Sequence, residues 1–506
     1  MKNMRKFASL LLAMVMIFSL SVTAFAEEIP ETTPVTFNHT IVGANPGHTY
    51  QAYQIFSGDL HADKLSNVKW GSGQTTHTVG DDATEVVETL ISESNALALV
   101  NSLTLSAEPT KESTYDASTG NYIISDLPAG YYLIRDKEGT LDGENAAYTD
   151  YILLVVDNSS SAPKSSVPTI KKKVTDLNDS TQTSTGGDTN QDSADYDIGD
   201  TVPFHIHIEL NNHIDSYKTY KLIVTDTMSK GLTFNEDSVV VKLNETAVAA
   251  DYYNIATTTA ADGTTTIVIT FSDIKPLKPE SYADLIIDYT AVLNENAVIG
   301  SAGNPNKVYL EYSNNPHWDG DGEEEFGKTP EDKVIVFTYK LDVDKVDAEK
   351  KPLNGAEFTL FKYNHDEASK NPDTKGWILV KVITGNESSK FVFEGLDDGI
   401  YKLVETKTPS GYNTIDPIEF RITASHDIES DDPKLTEFSG DLLEGNAVFT
   451  MDKAAGSVAT QVVNKAGATL PETGGMGTTL IYVVGGIMVL AAVVLLVTKK
   501  RMSSVE

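Results

Sequence analysis

Short stretches of alternating apolar and polar residues recur along most of the chain. Successive side chains of a strand point to opposite faces of its sheet, so a period of two indicates strands that bury one face. Residues 202–208, 265–271 and 283–292 are clear examples. Turn-forming Gly, Pro, Asn and Asp separate these stretches at short intervals, which is typical of β-sandwiches. The pattern therefore predicts a mainly β protein.

The predicted strands fall into three groups. Residues 84–103 are an exception, because their apolar positions have helical spacing and predict a helix in the first group. The strands are predicted at 49–56, 122–124, 131–134 and 151–156 in the first group, at 202–208, 220–224, 238–243, 265–271 and 283–292 in the second, and at 334–346, 357–363, 377–383, 391–393, 401–405, 418–422 and 457–463 in the third.

Polar segments separate the groups. Residues 157–167 are rich in Ser and Pro and indicate a linker, and residues 176–195 predict a mobile loop. The predicted parts are an N-terminal domain at 27–163, a middle domain at 164–332 and a C-terminal domain at 333–466, with a leader at 1–26 and a tail at 467–506.

The leader has the three parts of a secretory signal peptide. A basic start at residues 2–6 precedes an apolar core at 7–22 and the small-residue ending Ala24-Phe25-Ala26. Cleavage is predicted before Glu27, so we expect a secreted protein.

The tail combines a short motif with an apolar run. Leu470-Pro471-Glu472-Thr473-Gly474 is followed by uncharged residues at 480–497 and basic residues at 499–501. The apolar run is long enough to cross a bilayer as a helix. The basic residues would keep its end on the cytoplasmic side.

This order of parts resembles the cell-wall sorting signal of Gram-positive surface proteins. The resemblance implies that a sortase cuts between Thr473 and Gly474 and passes the acyl group to an amine. An amine of peptidoglycan would anchor the chain to the wall, whereas a lysine of another copy would polymerise it. The protein is then a substrate rather than an enzyme. The alternative is a single-pass membrane protein that carries the motif by chance.

The composition restricts the remaining chemistry. A net charge of −34 argues against nucleic acid and anionic membranes as partners, and the chain has no cysteine for disulfides. His205 and His207 lie on one face of a predicted strand but have no third ligand nearby. The acidic segment 319–325 lacks the calcium-loop pattern. The sequence therefore predicts no metal site, cofactor or catalytic site for an external substrate.

The predicted domains also resemble a known family. Residues 345–347, 351–360 and 399–406 resemble the first strands and the E-box of Cna protein B-type domains in Gram-positive pilins. Residues 49–56 and 226–234 resemble the first and second domains of shaft pilins. The resemblance implies three tandem immunoglobulin-like, Cna protein B-type β-sandwiches.

Such domains can join their first and last strands by a Lys–Asn isopeptide bond. The bond needs an uncharged lysine, an asparagine amide and a protonated carboxylic acid, and burial favours both protonation states. In the C-terminal domain the resemblance implies Lys345, Asn464 and Glu405 in these roles. They occupy its opening, closing and middle segments. Each residue alone would be an ordinary surface or turn residue.

The middle domain offers a second set. The resemblance to second domains of shaft pilins, which have a lysine two residues before a valine in the opening strand, favours Lys172 over Lys173 as nucleophile, and Asp226 is the candidate acid. Asn306 is the favoured asparagine, with Asn314 in reserve. The lysine-rich start of this domain can equally be a solvated basic stretch.

The N-terminal domain departs from this scheme. Its opening stretch at 36–41 has no lysine, and Asp136 stands near the place of the E-box glutamate. No bond is predicted there, so this domain is expected to resist proteases less.

The linker suggests the lysine that receives the next subunit. Pro163-Lys164 resembles part of the pilin motif of shaft pilins, although Ala162 and Ser165 replace its Tyr and Asn. Lys164 is the candidate acceptor, and Lys171 is a possible substitute.

The combined interpretation is the shaft subunit of a covalently polymerised pilus that supports adhesion. It implies pilus-type and housekeeping sortases, other copies of the chain, minor pilins, peptidoglycan and a host ligand as partners. The expected location is the cell wall of a Gram-positive bacterium, with transient retention in the membrane. A monomeric wall-anchored adhesin and a minor pilin are the alternatives.

Overall fold

A computed structural model describes most of the chain after the leader. The described residues are 35–44, 47–90, 92–139, 141, 144–163, 167–183, 190–316, 326–466 and 477–502. They form three β-sandwiches in a row, which confirms the predicted fold class.

The first sandwich packs a four-stranded sheet on a five-stranded sheet. The sheet orders are β5-β6-β1-β9 and β3-β2-β7-β8, with β4 paired to β2. Its elements are β1 (Thr36–Ile41), β2 (Tyr50–His61), β3 (Lys64–Trp70), α1 (Thr84–Glu88), α2 (Glu93–Asn101), β4 (Lys111–Glu112), β5 (Thr114–Asp116), β6 (Asn121–Pro128), β7 (Gly130–Asp136), β8 (Asp150–Val155) and β9 (Ser159–Ser161).

The middle sandwich has the larger sheets. Their orders are β10-β12-β18-β14-β15 and β11-β21-β19-β13-β17-β16, with β20 paired to β19. The strands are β10 (Thr169–Val174), β11 (Ser193–Asp195), β12 (Thr201–Glu209), β13 (Leu222–Met228), β14 (Leu232–Leu243), β15 (Thr246–Ala247), β16 (Asn254–Thr259), β17 (Thr265–Phe271), β18 (Asp284–Leu293), β19 (Asn304–Ser313), β20 (Phe326–Lys328) and β21 (Asp332–Phe337). Short 3₁₀ turns lie at Ile214–Ser216, Ala250–Tyr252 and Lys275–Leu277.

The C-terminal sandwich consists of sheets β25-β22-β30-β29 and β24-β23-β26-β27-β28. Its elements are β22 (Tyr339–Val346), β23 (Glu357–Tyr363), α3 (His365–Lys370), β24 (Trp377–Thr384), β25 (Lys390–Leu396), β26 (Gly399–Lys407), β27 (Ile418–His426), β28 (Leu435–Glu444), β29 (Phe449–Asp452) and β30 (Ser457–Val463). The opening strand β22 and the closing strand β30 are parallel neighbours.

The single helix predicted at 84–103 is two helices in the structure. The side chain of Ser92 accepts a hydrogen bond from the backbone N–H of Asn95 at 3.2 Å and caps α2. A serine in this position starts a new helix because it satisfies an otherwise unpaired N–H. The apolar spacing alone did not reveal this break.

The strand predicted at 334–346 also divides into two strands. β21 pairs with β19 of the middle sandwich, whereas β22 opens the C-terminal sandwich. Val334 and Val336 of β21 pack in the middle core, while Ile335 and Phe337 pack in the C-terminal core. One strand thus contributes opposite faces to two cores, and the predicted boundary at 333 falls inside it.

Two polar segments are more ordered than their composition predicts. β9 lies in the predicted linker and pairs in parallel with β1. In the predicted mobile loop, the described residues 176–183 and 190–195 contact the C-terminal sandwich through Asn178, Ser180 and Ser193. These contacts join sequence-distant groups, so the local composition could not indicate them.

The last element is α4 (Gly477–Met502), which contains the apolar run predicted to span a membrane. Within the described part of the chain, no helix combines the length and the apolar character needed to cross a membrane.

Candidate isopeptide sites

The buried amine of Lys172 is the centre of the first candidate site. β10 pairs with β12. Alternate side chains of β10 point into the middle sandwich, so Lys172 is buried while Lys171 faces solvent. Lys172 is completely buried. Its Nζ donates to the carboxylate of Asp226 and, at 2.7 Å, to the hydroxyl of Tyr289.

Tyr289 connects this lysine to an asparagine. Its hydroxyl donates to Asp226 Oδ2 at 2.8 Å and accepts a hydrogen bond of 2.8 Å from Asn306 Nδ2. Asn306 is fully buried, and its Oδ1 has no hydrogen-bond partner among the described residues. The structure therefore brings Lys172, Asp226 and Asn306 to one site around a phenol.

Apolar surroundings change the protonation of this site. The rings of Phe204 and Tyr289 lie 5.3 and 5.0 Å from the Lys172 amine. Burial lowers the pKa of Lys172, although Asp226 acts in the opposite direction. Burial likewise raises the pKa of Asp226. Both shifts favour a neutral amine beside a neutral acid.

The other residues considered for this site lie elsewhere. Lys173 is half-buried and forms an ion pair with Asp192 at 2.6 Å. Asn314 directly follows β19, whereas Asn306 lies near its start. The backbone oxygen of Asn314 accepts from the N–H of Tyr148 in the first sandwich. Asn306, unlike Asn314, shares the hydroxyl of Tyr289 with Lys172 as a hydrogen-bond partner.

The second candidate site lies between the parallel strands β22 and β30. Lys345 is opposite Val462, and its Nζ donates to the carbonyl oxygens of Val346 and Val462 at 3.2 Å each. Asn464 follows Val462 by two residues and so returns to the same face. Lys345 and Asn464 are both fully buried.

Glu405 reaches this site from the opposite sheet, on β26. Its carboxylate accepts hydrogen bonds from Asn464 Nδ2 at 2.9 and 3.0 Å. The backbone N–H of Ile415 and the hydroxyl of Thr408 donate to Oε2 at 3.2 and 3.3 Å. Three residues therefore donate hydrogen bonds to the Glu405 carboxylate and fix it beside the asparagine amide.

Burial also sets the charges of the second site. It lowers the pKa of Lys345 to about 8, against the attraction of Glu405. It raises the pKa of Glu405, against the hydrogen bond from Asn464. Within the described residues, Asn464 Oδ1 has no hydrogen-bond partner. The amide nitrogen of Asn464 therefore faces the acid, and its oxygen keeps an unused acceptor position in the core.

The opening strand of the first sandwich carries a buried histidine, whereas the opening strand of the C-terminal sandwich carries the buried Lys345. His39 is buried on β1, and its ring nitrogens hydrogen-bond Ser159, Tyr151 and Ser161 at 2.8 to 3.0 Å. Asp136 instead contacts His48 at 2.7 Å. The first and last strands are joined here by hydrogen bonds through an imidazole.

The remaining candidates do not form a further site. The sorting motif, Leu470 to Gly474, and Lys164 lie outside the described residues. His205 and His207 contact Asp288 and Asp284 on the neighbouring strand at 2.7 and 3.4 Å.

The aromatic and backbone groups of the two sites were not predicted from the sequence. Tyr289 occurs in an ordinary alternating strand, where a buried tyrosine is expected in any core. The carbonyl oxygens near Lys345 carry no sequence signal. The spacing of Phe204 and Tyr289, which are paired on adjacent strands, could have indicated an aromatic patch beside Lys172.

Family models match three parts of the chain. Residues 198–316 match a Cna-B-like domain of Gram-positive pilin backbone subunit 2, residues 339–434 match a prealbumin-like fold domain, and residues 462–504 match an LPXTG cell wall anchor motif. Both matched domains contain residues of the candidate sites.

Individual relatives agree with these matches. The trypsin-resistant surface T6 protein of Streptococcus pyogenes serotype M6 is 26% identical over 452 residues, covering 76% of this chain and 77% of the relative. The solved structure of the T6 backbone pilin of the same organism superposes with a TM-score of 0.55 and 21% identity, covering 86% of this chain and all of that one. The major pilin SpaD of Corynebacterium diphtheriae gives a TM-score of 0.47 and 18% identity, covering 86% and 98%.

The tandem sandwiches and the anchor motif define a wall-anchored surface protein of Gram-positive bacteria. The pilin backbone domain, the cell wall anchor motif and the T6 relative together support a sortase-assembled backbone pilin, the subunit of a pilus shaft.

Proposed function

We propose that this shaft subunit closes its middle and C-terminal sandwiches with Lys172–Asn306 and Lys345–Asn464 isopeptide bonds. The supporting observation is that each sandwich buries a lysine, a carboxylic acid and an asparagine together. Burial of charged groups destabilises a fold. A buried set of titratable residues with shifted pKa values therefore indicates a functional site.

The reaction follows from the two protonation states. The neutral lysine Nζ attacks the Cγ of asparagine, and the acid, Glu405 or Asp226, donates a proton to the amide oxygen. The acid then takes a proton from the attacking nitrogen and passes it to the departing amide nitrogen. Ammonia leaves, a Lys–Asn amide remains, and the acid regains its proton.

Positioning provides most of the rate. Packed strands hold the lysine, the acid and the asparagine of each site in one interior, which gives an effective concentration far above that of free reactants. No external catalyst is needed, and each chain reacts once per site. In the middle sandwich, Tyr289 is placed to relay a proton between Asp226 and Asn306.

The second part of the proposal concerns assembly. A sortase cysteine cleaves between Thr473 and Gly474 and forms a thioester with Thr473. The Lys164 amine of another copy, or an amine of peptidoglycan, then attacks this thioester. Pilus-type and housekeeping sortases, minor pilins and a host ligand for adhesion complete the proposed partners.

The two kinds of bond would carry load along one covalent path. Lys345 lies in the opening strand of the C-terminal sandwich, and Asn464 lies just before the tail that contains Thr473. A pull on the tail would therefore pass through the Lys345–Asn464 bond without separating the strands between them.

Polymerisation is tested in cells that produce the chain together with its sortase. We expect a ladder of products that survives boiling in detergent and disappears in Lys164→Arg and Thr473→Ala. Lys218→Arg is the matched control and should retain the ladder. A single band from the wild-type chain would instead favour a monomeric adhesin.

A further inference from the structure

The middle and C-terminal sandwiches meet at a segment that precedes β12. Asn178 donates to Asp398, and Ser180 donates to the carbonyl of Tyr363 at 2.7 Å. Ser193 contacts His426 at 2.7 Å. Residues of the middle sandwich are thus inserted against the turn between β25 and β26 and the end of β27.

This junction buries a group of carboxylates. Asp195 at the end of β11 is 1% exposed, and Asp397 and Asp398 between β25 and β26 are 2% and 9% exposed. Asp176 is also buried and accepts a hydrogen bond from the N–H of Asp195 at 3.3 Å. Four acidic side chains from two domains therefore share one interior.

One lysine provides positive charge here. Lys362 Nζ donates to Asp397 Oδ2 at 2.9 Å and to the more exposed Asp197 and Asp179 at 2.6 and 2.8 Å. A single ammonium already shared with two further carboxylates cannot balance four buried ones. Uncompensated charge in an interior is expensive.

Two of these carboxylates have an oxygen without a hydrogen-bond partner among the described residues. These atoms are the buried Asp195 Oδ2 and Asp397 Oδ1. One oxygen from each of Asp195, Asp397 and Asp398 lies within 4.8 Å of the others. Oxygens bound to one Ca²⁺ ion lie at about 2.3–2.6 Å from it, so they can be about 4.6–5.2 Å apart.

We propose that Asp195, Asp397 and Asp398 bind a calcium ion at the junction of the middle and C-terminal sandwiches. The ligands are all carboxylate oxygens, which hard divalent cations prefer. Asp195 also belongs to a second group with Asp176 and His426, whose nitrogen would suit a softer ion such as Zn²⁺. The buried Nε2 of His426 is unpartnered as well, so the choice between the two groups rests on ligand type: three carboxylates suit Ca²⁺, and binding of Zn²⁺ without Ca²⁺ would point to the group with His426.

The ion would fix one sandwich against the next. Asp195 comes from the middle sandwich, whereas Asp397 and Asp398 come from the C-terminal one. Binding would therefore favour the docked arrangement over any separated one, since a ligand shifts an equilibrium towards the state that binds it. In a shaft, the stiffness of this junction would depend on calcium.

The test is calorimetric titration of CaCl₂ into the purified chain after treatment with EDTA and dialysis. We expect one ion per chain and an unfolding temperature that rises with calcium. Asp195→Asn should weaken binding by about tenfold or more, because calcium affinity follows the charge of the ligands. Without calcium, the same variant should unfold at the same or a higher temperature than the wild type, because one buried charge is removed.

The control is Asp319→Asn with Asp321→Asn, which removes acidic residues of segment 319–325 and should keep the binding. Asp398→Asn is a second site variant in case Asp195→Asn does not fold. The proposal is overturned if the wild-type chain binds no calcium, if it binds Zn²⁺ but not Ca²⁺, or if only the control variant loses binding.

Discussion

The side-chain amide of Asn464 donates to both carboxylate oxygens of Glu405, at 2.9 and 3.0 Å. The two residues are 59 positions apart in the chain and lie on opposite sheets of the C-terminal sandwich. Asn464, which directly follows the closing strand β30, therefore lies in hydrogen-bond contact with the buried acid. Lys345, on the adjacent parallel strand, completes the set.

The first prediction concerns this acid. Glu405→Gln removes the proton donor, so the Lys345–Asn464 bond should not form. Intact-mass spectrometry should find the wild-type chain lighter than its sequence by two ammonia molecules and the variant lighter by one. Glu357→Gln is the control, because Glu357 lies on the neighbouring strand β23 of the same sheet, and it should keep both losses. A Glu405→Gln chain that is still lighter than its own sequence by two ammonia molecules would exclude Glu405 as the acid.

The second prediction distinguishes the two asparagines of the middle sandwich. Asn306 contacts Tyr289 at 2.8 Å, whereas Asn314 follows the far end of the same strand. Asn306→Ala should abolish the bond to Lys172, and Asn314→Ala should retain it. Peptide mapping after digestion would identify the cross-linked pair. The opposite result would move the bond to Asn314.

The third prediction concerns stability. A cross-link between the first and last strands restricts the unfolded chain, as a disulfide over a long loop does, by about 4–5 kcal/mol. Lys345→Met should lower the free energy of unfolding of the C-terminal sandwich by roughly this amount and make it sensitive to trypsin. Denaturant titration measures the loss.

Glu405→Gln is a useful comparison for this effect, since it removes the same bond while keeping Lys345. The two variants should lose similar stability. If both unfold like the wild type, no cross-link holds this sandwich.

The fourth prediction is a pH dependence of the first sandwich. Burial lowers the pKa of His39 from 6.5 to about 4. Between these two pH values the unfolded chain binds a proton at His39 and the folded chain does not. The free energy of unfolding should therefore fall as the pH drops from about 6.5 to 4. The full pKa shift corresponds to a loss of about 3 kcal/mol in the free energy of unfolding.

Thermal unfolding at pH 7 and pH 4.5 measures this effect in the first sandwich. His39→Gln should reduce the difference between the two pH values, whereas His205→Gln, at the half-exposed pair with Asp288, should not. An equal pH dependence in wild type and His39→Gln would contradict the assignment.

The fifth prediction is that Lys362 keeps its free amine. Burial alone would lower its pKa, but Asp397, Asp197 and Asp179 raise the pKa well above the usual value. A protonated amine has no lone pair for attack. Peptide mapping should therefore recover Lys362 unmodified, and a cross-link from Lys362 to an aspartate would show that contact alone is sufficient for reaction.

The local sequence predicted most strands because alternation is a property of neighbouring residues. The strand prediction failed where an element is defined by contacts with residues far away in the sequence. The run at 334–346 reads as one apolar-rich strand, although the pairing partner changes from β19 to β30 and β25 within it. Similarly, the polar composition of 176–195 concealed contacts with the C-terminal sandwich.

The sequence by itself determined the β-rich character, the order of the domains and the sorting motif, because these depend on residues that are adjacent in the chain. It also supplied the candidate lysines, acids and asparagines. The tertiary structure decided which of them share an interior: sheet pairing places Asn306 beside Tyr289, and Asn464 beside Glu405. Burial, which shifts the pKa of Lys345 and Glu405 in opposite directions, arises when the two sheets close over these groups.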